Sequence, residues 1–143
     1  MRVVLDTNIL ISALMIQTGN PAAIYRAWRE GRFTLLTCEE LLDELQATLR
    51  KPALAERIKP YNAGGLVNEM KRLAEYVQAL PRLRRSPDPT DDFLLALCEA
   101  GRADYLVTED RHFSMLRNIP FPKVATISIE DFTQLIRQPN SSS

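Results

Sequence analysis

The stretch Arg2-Val3-Val4-Leu5-Asp6-Thr7-Asn8 narrows the fold more than any other part of the chain. Its apolar residues are continuous rather than alternating and two are β-branched, the pattern of a strand buried on both faces in a parallel sheet. Arg2 to Leu5 is therefore read as the first strand, with Asp6 a carboxylate at its end. Three further short runs read as strands: Phe33 to Leu36, Asp104 to Thr108 and Val124 to Ile127. Acid follows one of these as well, as Glu109 and Asp110.

Helical signals separate the runs. Asn20 and Pro21 read as an N-cap followed by proline at the first helical position, with Ile24 and Trp28 on one face and Gly31 as the stop. Thr37-Cys38-Glu39-Glu40 matches a capping box, predicting a helix from Cys38 to about Arg50 that points Leu41, Leu42, Leu45 and Leu49 inward and stops before Pro52. Leu66, Met70, Leu73 and Val77 recur at intervals of three and four, predicting a helix that Pro81 ends, and RLRRSPDPT beyond it reads as an exposed loop. Thr90 reads as the cap of an apolar helix that Asp91 and Asp92 open and that runs from Phe93 to Ala100. Ser128 caps a last helix to about Ile136, leaving residues 138–143 as a disordered tail.

Strands alternating with helices imply parallel pairing through right-handed crossovers, hence a sheet with helices on both faces. At 143 residues one domain is the default. Ligands of such folds collect at the carboxyl ends of the strands, where Asp6 and Asp110 both fall and where the helix opening at Asp92 can direct its first turn. Adjacent carboxylates repel, so their clustering calls for a cation among them. Mg²⁺ or Mn²⁺, which take oxygen ligands and keep several waters, suit this set better than zinc, because the chain has one histidine and its two cysteines are far apart. Glu44, on the border of the leucine face, is a candidate fourth member.

Several classes are excluded. Cys38 and Cys98 have no C-x-x-C spacing and read as small core residues, with the helix N-terminus at Cys38 favouring a thiolate as its alternative. Lys+Arg and Asp+Glu both number 18, so any contact with a polyanion has to come from local clusters. No signal-peptide pattern opens the chain, and no run approaches the roughly 18 apolar residues of a spanning helix. The expected setting is soluble and cytoplasmic.

VVLDTNILISAL, the helix EELLDEL and the block DDFLLALCEAGRADYLVTED together resemble the PIN-domain family, over about residues 1 to 136. More narrowly, the chain is similar to the bacterial toxins of that family. The resemblance implies a three-layer α/β/α sandwich with a central parallel sheet, occupying residues 1–137. It also implies a metal-dependent ribonuclease, often the toxin half of a toxin-antitoxin pair, with a small antitoxin partner and self-association into a homodimer. Position by position, the family's acidic residues fall on Asp6, Glu44, Asp92 and Asp110, and its supporting polar residues on Asn8 and Thr108. Asp91 neighbours Asp92, and a register shift of one exchanges their roles. Where the family usually has a small residue, this chain has Glu109, which either alters metal affinity or points to solvent.

Under this reading the ion and its carboxylates activate a water for hydrolysis of an RNA phosphodiester, leaving a 5′-phosphate and a 3′-hydroxyl. His112 is the lone histidine and reads as a surface loop residue, which suits metal-assisted hydrolysis better than a two-histidine route through the 2′-hydroxyl. Arg82, Arg84 and Arg85, with Arg111 and Arg117, are candidates for gripping phosphates beside the acidic site. Trp28 and Phe93 read as core, leaving Tyr61 and Phe113 for base stacking. Two other readings stand beside the nuclease: an aspartate-based phosphotransfer domain, which would want D-x-D where this chain has Asp6-Thr7-Asn8, and a non-catalytic RNA- or protein-binding module.

Overall fold

In the computed structural model, residues 1–78, 92–109 and 125–137 are described, with the backbone alone at Asp92. Five parallel strands form one sheet in the order β3-β2-β1-β4-β5. They are β1 Arg2–Leu5, β2 Thr34–Thr37, β3 Glu75–Tyr76, β4 Tyr105–Val107 and β5 Ala125–Ile127. The helices are α1 Thr7–Met15, α2 Asn20–Arg29, α3 Glu39–Leu49, α4 Pro52–Ala55, α5 Pro60–Leu73, α6 Asp92–Ala100 and, last among the described residues, α7 Ile129–Ile136. The architecture is the expected α/β sandwich. Because the chain moves from β1 to β2 and β3 on one side and then returns to β4 and β5 on the other, the strand order reverses between β1 and β4, the position at whose carboxyl edge open parallel sheets bind ligands.

The core is built as the apolar runs require. Val3, Val4 and Leu5 are fully enclosed, and so is Leu106 on the neighbouring β4. The α3 stripe Leu41, Leu42, Leu45 and Leu49 is buried, as are Leu66 and Met70 of α5. Phe132 of α7 is wholly buried, with the ring of Phe33 edge-on at 5.3 Å and that of Tyr105 at 6.1 Å. Truncating it to alanine is expected to cost about 3–5 kcal/mol. Trp28 is buried as expected, Phe93 is partly buried against the core, and Tyr61 is exposed.

Several boundaries differ from the sequence expectation. A helix that the sequence reading does not include, α1, follows β1 at once, with Asp6 as its N-cap. The cap of α2 is Gly19 rather than Asn20, which becomes the first helical residue. The capping box at Thr37 does not form: Thr37 is the last residue of β2, its buried hydroxyl has no hydrogen-bond partner among the described residues, and Cys38 is the N-cap without a side-chain bond. The helix expected to reach Val77 ends at Leu73, because Glu75 and Tyr76 pair with β2 and the Val77 N–H donates to the Thr37 carbonyl at 2.8 Å. The loop RLRRSPDPT up to Asp91, Val124, and the tail 138–143 lie outside the described residues.

Candidate active site

Asp6 sits at the strand-order reversal. Its backbone N–H still pairs with β4, donating to the Val107 carbonyl at 3.1 Å, so its position is fixed by the sheet. Its half-buried carboxylate is held from two sides: Oδ1 accepts from the Asn8 backbone N–H at 3.3 Å and Oδ2 accepts from the Thr108 hydroxyl at 2.9 Å. An ionised carboxylate accepts about four hydrogen bonds, so both oxygens keep lone pairs for another ligand. Asn8, expected as a supporting residue, contributes through its backbone, and its side chain is exposed.

Thr108 and Glu109 continue β4 to the same edge. Thr108 is buried, and its N–H donates to the Ile127 carbonyl at 3.1 Å, which fixes the hydroxyl that reaches Asp6. Glu109 is exposed, as one of its two expected courses has it, and it also has a partner. Its Oε1 accepts from the Ile129 N–H at 2.8 Å, so it caps the first turn of α7 from outside that helix. Ser128 Oγ accepts from Asp131 N–H at 3.1 Å and completes the cap.

The other candidates are placed less fully. Gly101, just past α6, accepts from Arg2 Nε at 2.7 Å, which puts the end of α6 at the amino edge of the sheet. Nine residues at about 1.5 Å each carry its start, Asp92, back toward the carboxyl edge. Glu44 is exposed on the second turn of α3, beside buried Leu41 and Leu45. Asp91, Asp110, Arg82, Arg84, Arg85, Arg111, His112, Phe113, Arg117 and the side chain of Asp92 lie outside the described residues. Among the described residues no three acids, histidines or cysteines converge as a metal cluster. What is described there, a carboxylate and a hydroxyl, is an all-oxygen donor set, and that chemistry fits a hard divalent ion.

The thiols take no part. Cys38 begins α3, but full burial outweighs the helix N-terminus and pushes its pKa up to about 12, aided by the nearby Glu40 carboxylate. Burial likewise raises the Cys98 pKa.

The sequence model described as a PIN domain matches residues 2–112. No match is found among curated proteins. Among solved structures, the chain is similar to one of VapBC2 from Rickettsia felis bound to a DNA fragment from their promoter, with 17% identity and a TM-score of 0.58 over 90% of this chain and 98% of that one. It is also similar to the PIN domain of human SMG5, with 16% identity and a TM-score of 0.52 over 94% and 97% of the two chains. At these identities the likeness concerns the fold.

Proposed function

The chain belongs to the PIN-domain family, and from that premise we propose that it is a metal-dependent endoribonuclease, the toxin component of a toxin-antitoxin pair. The observation that carries the proposal is the Asp6 carboxylate, oriented by Thr108 at the reversal point of the sheet with free lone pairs on both oxygens. PIN-domain nucleases in general use divalent metals. Asp6, Asp92 and Asp110, with Glu44 directly or through water, would hold Mg²⁺ or Mn²⁺, which when bound lowers the pKa of a water and offsets charge growing on the phosphate. Asp6 serves as a ligand of fixed orientation, because the Asn8 N–H and the Thr108 hydroxyl hold its carboxylate from two sides. Asp92 or Asp110 accepts the proton of the attacking water. Asp91 is the alternate for Asp92. Arg82, Arg84, Arg85 and Arg111 bind substrate phosphates, offsetting the repulsion between RNA and an acidic pocket.

The partners proposed are RNA as substrate, a small antitoxin, and a second copy of the chain. The antitoxin is supported by the likeness to VapBC2. Residues 1–137 act as one domain, and the working compartment is the cytoplasm. No helix among the described residues is long and apolar enough to cross a membrane. Asp6→Asn tests the proposal: divalent-dependent RNA cleavage is expected to be abolished in a variant that still folds, and unchanged turnover would refute the assignment.

A further inference from the structure

We propose that a polar pocket at the amino edge of the sheet, formed by Arg26, Arg32 and Arg137 between the ends of α2 and α7, binds the oxyanion of a phosphate group. The cavity measures about 200 Å³ and carries Glu30 as its one acidic side chain among the described residues. At about 30 Å³ per water it has room for a phosphate and part of its hydration.

Arginines at helix ends are often only caps for the last carbonyls. Here the backbone already does most of that work. The carbonyls of Arg26, Ala27 and Trp28 at the end of α2 accept from the N–H groups of Glu30, Arg32 and Gly31 at 3.0, 3.0 and 2.9 Å. The Ile136 carbonyl of α7 accepts from one guanidinium nitrogen of Arg32. Arg26 gives one N–H to the Gln17 carbonyl at 3.2 Å, and Arg137 has no side-chain partner among the described residues. Each guanidinium carries five N–H donors, so most of them remain available to an anion.

Charge points the same way. Three arginines and one glutamate, Glu30, line the pocket beside two helix C-termini, each worth about half a negative charge. The balance is close to one positive charge, in a chain whose total is zero. Guanidinium forks match phosphate oxygens two at a time, which lysines would not. The pocket is at the opposite edge from Asp6, roughly 13 Å away along a four-residue strand. A phosphate bound there is therefore not the one cleaved. Its source is either a free phosphate or a remote stretch of an RNA backbone.

The test uses the full chain without added divalent ion, so that RNA stays intact. Inorganic phosphate is titrated by NMR and single-stranded RNA by fluorescence anisotropy, against the wild type and an Arg26→Gln/Arg137→Gln double variant. Both side chains are exposed, and urea unfolding checks that the variant folds. Phosphate is expected to shift the Arg26, Arg32 and Arg137 signals, with affinity falling roughly tenfold in the variant. If RNA affinity falls too, and its salt slope drops by about 0.7 per lost contact, the source is RNA backbone; if only phosphate binding falls, it is a free phosphate. Absence of these shifts, or equal phosphate affinity in the variant, overturns the proposal and leaves the arginines as helix caps.

Discussion

The Thr108 hydroxyl donates to Oδ2 of Asp6 across 2.9 Å, joining the end of β4 to the end of β1 at the point where the strand order reverses. The bond fixes which way the carboxylate faces. Thr108→Val keeps the shape and removes the donor. Asp6 is only half buried and keeps the Asn8 N–H, so the loss of this bond should itself cost about 1 kcal/mol. Loss of such an outer partner typically weakens metal binding by about 10–100-fold. Mn²⁺ titration followed by water proton relaxation is expected to show weakening in that range, with Thr108→Ser restoring affinity. Wild-type affinity in Thr108→Val would remove Thr108 from the site.

Glu109 gives a second, separable prediction. As the acceptor for the Ile129 N–H, it is expected to act on stability through α7. Glu109→Ala should cost about 1 kcal/mol in urea unfolding, as other lost N-terminal caps do, and Glu109→Gln should recover most of it because an amide oxygen still accepts. A large change in Mn²⁺ affinity with unchanged stability would reverse the assignment.

These two residues also show what the sequence could and could not reveal. Asp6 was legible because a continuous apolar run ending in acid has few other readings. The role of Glu109 was not, because its partner, Ile129, is twenty residues away and comes close only when β4 and β5 pair. Helix α1 escaped because its apolar residues simply continue the run of β1, and period cannot separate the two. Strand β3 escaped for the opposite reason: Glu75 and Tyr76 are exposed, and two residues carry no pattern. The capping box at Thr37 failed because the same residue was claimed by the end of β2.

A third prediction comes from two helix ends of the same type. The N–H groups of Gly31 and Arg32 close α2 on Trp28 and Ala27, and those of Arg102 and Ala103 close α6 on Glu99 and Cys98. The left-handed residue is Gly31 in the first, at φ 77°, and Arg102 in the second, at φ 54°. Gly101 occupies the position before it because a Cβ there would lie 2.6 Å from Leu36 Cδ1 and 3.3 Å from Val77 Cγ2. Arg102→Gly relieves about 1–2 kcal/mol of left-handed strain and returns part of it as chain entropy, for a net gain near 0.5 kcal/mol. Gly101→Ala should instead lose about 1–3 kcal/mol to overpacking. Thermal unfolding of the two variants should therefore move in opposite directions.

The last prediction concerns acid stability. Arg2 reaches from β1 across β2 to pair with the carboxylate of Glu75 on β3, while its Nε holds the Gly101 carbonyl and its backbone N–H donates to Asp104 Oδ2 at 2.8 Å. The guanidinium holds the Glu75 carboxyl below its ordinary range, chiefly through that hydrogen bond. The folded pKa thus lies below the unfolded one, so the stabilisation is complete above the unfolded value of about 4.3 and is lost as pH falls through the folded value. Glu75→Gln should match the wild type at the acid end and be the less stable protein from about pH 5 upward. Both side chains are partly exposed, at 35% and 47%, so the difference should be modest and shrink in high salt. Urea unfolding across pH, at low and high salt, measures it. A difference that persists undiminished at high salt and at the acid end would mean that Glu75 acts through packing of the β3 edge, not through its charge.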